Sequence, residues 1–253
     1  GLYVINEQQI EQFIATPGAA ERIATVNDIN GDGVRDAVVT INDSRFPNVR
    51  CYDTTSGKML WQQSYMQTGF VDNMGWTSIH AIPSALTFLE NNRVLYAAGD
   101  KLIMLDGGTG NQLAIHDFND QRINVSHVFQ IADMDGDGAS GILAVGMWST
   151  SAAGGWSSSE TSPRKVVLYI LGNTLGRVIH STEFIPQARD FEWYTMKTVE
   201  TQKVQGRAKA LVTLNKRNVS SEHYMTSGVT WIVDLSSGEA TGQSADAVLN
   251  AGD

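Results

Sequence analysis

An acidic, glycine-rich stretch that runs directly into apolar residues constrains the fold of this chain more than any other feature. Residues 28–36 read Asp-Ile-Asn-Gly-Asp-Gly-Val-Arg-Asp, and the apolar run 37–41 follows without a break. Side-chain oxygens stand at positions 1, 3, 5 and 9, which are Asp28, Asn30, Asp32 and Asp36. Calcium takes about six to eight oxygen ligands at roughly 2.3–2.6 Å, so this spacing predicts a calcium loop.

A second copy of the pattern begins at Asp133. Residues 133–141 read Asp-Met-Asp-Gly-Asp-Gly-Ala-Ser-Gly, so that Asp133, Asp135 and Asp137 keep positions 1, 3 and 5. Gly141 stands at position 9, and the site would borrow a ligand from Ser140 or water. We expect it to bind calcium more weakly than the first. The alternative for both copies is an Asp/Gly turn without an ion.

Position 12 of each copy decides what kind of calcium loop this is. An EF-hand loop requires a bidentate Glu there and a helix on each side. The chain has Val39 in the first copy and Ala144 in the second, within β-branched or small apolar runs that are typical of strands. The EF-hand interpretation therefore fails, and each loop is expected to lead into a strand.

A loop closed by Asp at position 9 and followed by a strand resembles the FG-GAP repeat of integrin alpha-chain propellers and of many secreted proteins. This resemblance implies calcium ligands from the side chains at positions 1, 3, 5 and 9 and from the backbone carbonyl at position 7. In this sequence the carbonyls are those of Val34 and Ala139. It also implies a β-propeller in which calcium has a structural role.

A second repeated segment combines a strand, a turn from Asp to Gly, and another strand. It occurs at residues 48–61, 101–113 and 229–239, and more loosely at 166–179. The Asp begins each turn and the Gly supplies a residue with φ > 0, which is hairpin chemistry. These hairpins resemble the outer strands of quinoprotein-type propeller blades, which carry a similar Asp, Thr-Gly-Lys, Leu-Trp pattern.

Together the two repeats predict an all-β chain: a β-propeller of four-stranded antiparallel blades, about four of them complete. The expected blades span about 20–65, 75–118, 128–184 and 193–243. Residues 1–15 and 245–253 would belong to a flanking or shared fifth blade, so the chain is one propeller domain or a fragment of a larger one. Pro83–Asn92 is expected to be a turn that has lost the acidic loop. Thr201–Lys209 takes the loop's place in the fourth blade, where Lys209 would repel a cation.

Composition excludes some partners. The formal net charge of −9 disfavours nucleic acid, whose binding depends on contacts to phosphate. No apolar stretch reaches the length of about 18 residues that a membrane helix needs, which predicts no membrane insertion within this chain. Cys51 is the single cysteine, so no internal disulfide can form.

Two further segments are weaker candidates for binding. The insertion 148–164 carries Trp156, which would be an anchor if it were exposed, although a loop folded back onto the blade explains it more simply. The run Asp190-Phe191-Glu192-Trp193-Tyr194 combines carboxylates and rings, as sugar-binding grooves do, but entry into a core strand explains it more simply.

The sequence thus predicts a non-enzymatic, extracellular, calcium-stabilised propeller that binds a protein or glycan, as in adhesion, surface assembly or a receptor ectodomain. No catalytic residue is predicted. The alternative is a carbohydrate-active enzyme such as a polysaccharide lyase. A relative of the quinone-dependent dehydrogenases is less favoured, because those resemble eight-bladed rings, and many carry adjacent cysteines.

Overall fold

A computed structural model describes residues 1–6, 9–42, 48–64, 83–119, 123–134, 136–148, 165–184, 192–204, 207–218 and 227–244. Eighteen strands and no helices occur in these ranges. The chain divides into two compact units, residues 1–119 and 120–253.

The first unit contains a two-stranded hairpin and two four-stranded sheets. The hairpin pairs β1 (Leu2–Asn6) with β2 (Gln9–Ile14). Sheet 1 has the order β3 (Ala19–Thr25), β4 (Ala37–Asn42), β5 (Asn48–Tyr52) and β6 (Met59–Ser64). Sheet 2 has the order β7 (Pro83–Leu89), β8 (Arg93–Ala98), β9 (Lys101–Asp106) and β10 (Gln112–Asp117).

The second unit contains two more sheets of the same design. Sheet 3 has the order β11 (Ile123–Ile131), β12 (Gly141–Trp148), β13 (Lys165–Leu171) and β14 (Val178–Phe184). Sheet 4 has the order β15 (Glu192–Val204), β16 (Arg207–Asn218), β17 (Ser227–Asp234) and β18 (Ala240–Ser244). All four sheets are antiparallel meanders, which confirms the predicted all-β class and the four-stranded unit. The arrangement of these sheets as a propeller stays a prediction.

The predicted turn at Pro83–Asn92 was wrong. Pro83–Leu89 forms β7, and the turn is confined to residues 90–92. Asn91 and Asn92 make this short turn, with φ of 59° and 54°, a region that asparagine tolerates better than most residues. Pro83 lies at the first position of its strand, where a missing N–H costs little.

In the fourth sheet the residues that take the place of the acidic loop belong to paired strands. Within the described residues, β15 and β16 pair as far as Val204 with Arg207. Lys209 lies on β16 opposite Asp234 of β17. The acidic loop is therefore replaced here by an extension of the sheet.

The core of the first unit lies on both faces of sheet 1. Val38, Val49 and Cys51 pack with Val94 and Ile103 of sheet 2. On the other face, Val39 and Ile41 pack with Ile14 of the β1–β2 hairpin. Neighbouring residues of a strand point to opposite faces, so the run 37–41, apolar except for Thr40, is what a strand buried on both sides requires.

The core of the second unit lies between sheets 3 and 4. Leu143, Val145 and Leu168 of sheet 3 share one buried cluster with Val212 and Leu214 of sheet 4. The same pairing of consecutive sheets therefore occurs in both units.

A side chain on the fourth strand of one sheet packs against the glycine turn of the next sheet along the chain. Trp61 of β6 donates a hydrogen bond from Nε1 to the carbonyl of Gly107 at 2.8 Å, and a Cβ added at Gly110 would lie 2.6 Å from its Cε3. In the second unit a Cβ added at Gly238 would lie 2.5 Å from His180 Nε2, and Thr182 Oγ1 donates to the Gly238 carbonyl at 2.8 Å. Only glycine allows so close an approach at these two turns.

Candidate metal centre

The first acidic loop connects β3 to β4 and is organised by the Asp28 carboxylate. Asp28 Oδ1 accepts hydrogen bonds from the backbone N–H groups of Gly31 at 2.6 Å and Asp32 at 3.2 Å. Asp28 Oδ2 accepts from the N–H of Gly33 at 2.8 Å. Gly31 and Gly33 have φ of 81° and 88°, and these values account for the glycines at positions 4 and 6 of the loop.

The side chains at positions 3 and 5 continue the same arrangement. Asn30 Oδ1 accepts from the N–H of Asp32 at 3.0 Å, and Asp32 Oδ1 accepts from the N–H of Val34 at 2.8 Å. Each of these oxygens has a second lone pair. The predicted ligands Asp28, Asn30 and Asp32 thus lie in one turn. The remaining lone pairs of their oxygens could still coordinate a cation.

Asp36 at position 9 is the unusual member of the loop. It is 1% exposed, and its Oδ2 accepts from the N–H of Ile29 at 2.7 Å. Its Oδ1 is buried without a hydrogen-bond partner. Burial raises the pKa of Asp36, and the nearby carboxylates of Asp53, Asp32 and Asp28 raise it further.

A buried carboxylate oxygen without a donor is unfavourable unless a positive charge compensates it. Asp36 Oδ1 therefore meets the requirement for a cation site on chemical grounds. In the part of the chain that the structure describes, however, three or more His, Cys, Asp or Glu side chains do not come together as a metal-binding group. Three of the predicted ligands, Asp28, Asn30 and Asp32, direct oxygens to backbone amides. The calcium site stays a prediction.

The second acidic loop repeats the first half of this arrangement. Asp133 accepts from the N–H groups of Gly136 and Gly138 at 2.7 and 2.8 Å, and Asp137 Oδ1 accepts from the N–H of Ala139 at 2.8 Å. Asp135 lies outside the described residues. Gly141 is the first residue of β12, where the first loop has its closing carboxylate. The second loop thus lacks a counterpart of the buried Asp36.

Three of the four sheets have an aspartate at the start of the outer hairpin, and the neighbours of these aspartates differ. In sheet 4, Arg207 Nη1 lies 3.8 Å from Asp234 Oδ2. In sheet 2, Arg93 lies opposite Asp106 in the strand register. In sheet 1 the neighbour of the hairpin aspartate Asp53 is another carboxylate, Asp36.

Sheet 1 thus differs from sheets 2 and 4 in that carboxylates cluster at its loop and hairpin turn. The hairpin aspartate of sheet 4 lies near an arginine, and that of sheet 2 has an arginine as its cross-strand partner, whereas in sheet 1 the carboxylates of Asp28, Asp32 and Asp53 lie near Asp36. The sequence analysis did not predict that Asp53 would lie near the acidic loop. Its fixed place at the start of a repeated turn was the available signal.

The other residues that the sequence suggested for binding or chemistry do not form a site in the described part of the chain. Trp156, Asp190 and Phe191 lie outside the described residues, and residues 192–194 are described only as backbone of β15. Cys51 is buried, and burial raises the pKa of its thiol to about 12, so it is a poor nucleophile. The described ranges contain no helix with the length and hydropathy to cross a membrane.

The sequence matches no protein-family model and no curated protein. Among solved structures, it is similar to hydrazine synthase of Kuenenia stuttgartiensis, with a TM-score of 0.59 and 13% identity over 94% of this chain and 57% of that one. It is similar to the Dos1 propeller, with a TM-score of 0.47 and 11% identity over 86% and 50% of the two chains. It is also similar to BamB of Moraxella catarrhalis, with a TM-score of 0.40 and 10% identity over 94% and 63%.

These likenesses concern the fold alone. The match to hydrazine synthase exceeds a TM-score of 0.5, and this chain spans 57% of the length of that structure. The predicted FG-GAP relationship is not identified by any family model. The predicted calcium chemistry therefore depends on the residues of this chain.

Proposed function

We propose that this chain is a β-propeller, or part of one, in which calcium bound by the first acidic loop stabilises sheet 1, and that it acts as a protein- or glycan-binding module outside the cytosol. The four consecutive four-stranded meanders are the supporting architecture, because propeller blades are four-stranded antiparallel sheets. The repeated contact of one sheet with the glycine turn of the next supports the same architecture.

One observation carries the calcium proposal: the buried Oδ1 of Asp36 has no hydrogen-bond partner. The side chains of Asp28, Asn30, Asp32 and Asp36 and the carbonyl of Val34 would hold the ion. Calcium would supply the positive charge that the four carboxylates around the loop lack. Its role would be structural, because it would fix the loop that leads into the buried strand β4.

The second loop would bind calcium more weakly through Asp133, Asp135, Asp137 and the Ala139 carbonyl. Its position 9 is Gly141, so it supplies one carboxylate fewer than a loop closed by aspartate. Ser140 or water would complete the coordination. The first loop is therefore the site on which calcium should have the larger effect.

A binding role is supported by two exposed aromatic side chains on the β1–β2 hairpin. Tyr3 and Phe13 of the β1–β2 hairpin are 61% and 54% exposed, and their ring centroids are 5.0 Å apart. Aromatic side chains are enriched at protein interfaces and also stack against sugars. An extracellular or cell-surface location fits modest calcium sites, since millimolar calcium is available there.

Calcium should raise the melting temperature of the protein, and a chelator should lower it. An ion that binds only the folded state adds about 2.7 kcal/mol at a free concentration 100 times its dissociation constant. For a chain of this size that corresponds to a rise of roughly 5–10 °C. Circular dichroism melts in calcium, in magnesium and in chelator provide the measurement. Identical melts in calcium and chelator would contradict the proposal.

A further inference from the structure

The β1–β2 hairpin has the design of the outer half of a four-stranded sheet. Its pairing shifts register between Val4 and Ile5, close to the turn, as the pairing of β5 with β6 does between Cys51 and Tyr52. The outer hairpins of sheets 2 and 3 shift register at the corresponding place. The hairpin also packs on sheet 1, as the outer strands of sheet 1 pack on sheet 2. β1 therefore corresponds to the third strand of a sheet, and β2 to the fourth.

The other edge of β1 is free within the described residues. Among the described strands β1 pairs with β2 alone, whereas the third strand of each four-stranded sheet is paired on both sides. The sequence of β1 is Leu-Tyr-Val-Ile-Asn, without the charged residue or proline that commonly protects a sheet edge. The N–H and C=O groups along such an edge can bind an added strand.

An exposed isoleucine lies where the inner half of such a sheet would pack. Ile23 of β3 is 60% exposed, and it is the direct cross-strand partner of Val39. Val39 belongs to the cluster that sheet 1 shares with the hairpin, so Ile23 lies on the same face of sheet 1, on the next strand. The exposed apolar surface is thus continuous with the contact between the hairpin and sheet 1.

The first strands of sheets 2 and 4 show what covers a residue in this place. Phe88 of β7 packs against the cluster that contains Val38 of β4, and Val199 of β15 shares a cluster with Leu143 of β12. In both cases the cover includes the second strand of the preceding sheet. β4 and β12 have buried apolar residues on both of their faces.

We propose that the free edge of β1 and the exposed face around Ile23 bind two antiparallel strands of another polypeptide, of which the strand next to β1 is apolar on both faces. A second copy of this chain is not the source, because each second strand in its described residues is already paired on both sides. This inference rests on the proposed binding role and names the kind of partner. It does not depend on calcium.

Synthetic peptides taken from this chain provide strand pairs of the required chemistry. Peptide 123–148 contains β11 and β12, and the control peptide 48–64 contains the outer strands β5 and β6. Fluorescence anisotropy of labelled peptides measures their binding to the full chain. We expect saturable binding of peptide 123–148. The control should bind about 10-fold more weakly, because β5 carries Asn48 and Arg50 in place of apolar residues.

Two isoleucine variants test whether the exposed face takes part. Ile23→Ser should raise the dissociation constant of peptide 123–148 about 10-fold, because binding would bury this side chain. Ile115→Ser is the matched control, since Ile115 is 44% exposed on β10. It should leave the dissociation constant unchanged. Both side chains are exposed, so neither change should prevent folding.

Hydrogen exchange shows where the peptide binds, and we expect slower exchange at residues 2–6 and 19–25. Absence of saturable binding, binding without protection of β1, or equal effects of the two isoleucine variants would overturn the inference. Protection of β1 before any peptide is added would also overturn it, because the edge would already be covered. None of these results would touch the proposed function, which the calcium melts test separately and whose binding role rests on the exposed rings of Tyr3 and Phe13.

Discussion

Replacing Trp61 with alanine is expected to lower the free energy of unfolding by about 3–5 kcal/mol, the usual loss for truncating a buried tryptophan. Trp61 is 8% exposed and belongs to the cluster shared by sheets 1 and 2. Its ring lies on Gly110, and its Nε1 donates to the Gly107 carbonyl at 2.8 Å. The variant would lose the ring contact and leave a buried carbonyl unpaired. Urea denaturation followed by circular dichroism measures the change.

Two control variants separate the parts of this effect. Trp61→Phe keeps an aromatic ring but removes the hydrogen bond, which should cost about 1 kcal/mol beyond any repacking. Gln62→Ala changes the next, exposed side chain of β6 and should remain within about 0.5 kcal/mol of the wild type. A Trp61→Ala variant as stable as Gln62→Ala would show that this contact does not hold the two sheets together.

Replacing Asp36 with asparagine should change stability in opposite directions with and without calcium. In chelator, the wild type buries the carboxylate of Asp36. This burial raises the pKa of Asp36, and the nearby charges of Asp53, Asp32 and Asp28 raise it further. Asparagine keeps an acceptor for the Ile29 N–H and removes this charge. We expect the variant to be more stable than the wild type by about 1 kcal/mol, or roughly 2–4 °C in melting temperature.

In saturating calcium the order should reverse. The wild type gains the stabilisation of the bound ion, about 2.7 kcal/mol at 100 times its dissociation constant, and the variant loses most of it. Asp117→Asn is the control, because Asp117 pairs with Lys101 at 2.7 Å on the same unit and away from the loop. It should lower stability equally in both conditions. An Asp36→Asn variant that is less stable than the wild type by the same amount in both conditions would contradict the account.

The sequence allowed the strands of sheet 1 and the first loop to be predicted because their determinants are local. The glycines at 31 and 33 supply the positive φ values, and the run 37–41 is apolar because both faces of β4 are buried. The segment 83–92 was misassigned because its proline and asparagines are turn residues. Its strand is identified by pairing with β8, which is a tertiary property.

The proximity of Asp53 to the acidic loop could not be predicted for the same reason. Its turn was evident in the sequence, but its place beside Asp36 depends on how the loop and the hairpin of sheet 1 lie together. Similarly, nothing local in the sequence indicated that Trp61 contacts Gly110, or that His180 and Thr182 contact Gly238 in the second unit.

Calcium titration of the wild type, Asp36→Asn and Asp133→Asn by isothermal calorimetry tests the central claim most directly. The account predicts a tighter site that is lost in Asp36→Asn and kept in Asp133→Asn, and a weaker site that shows the reverse. Asp36→Asn with the same stoichiometry and dissociation constants as the wild type would show that the loop at residues 28–36 is not the calcium site.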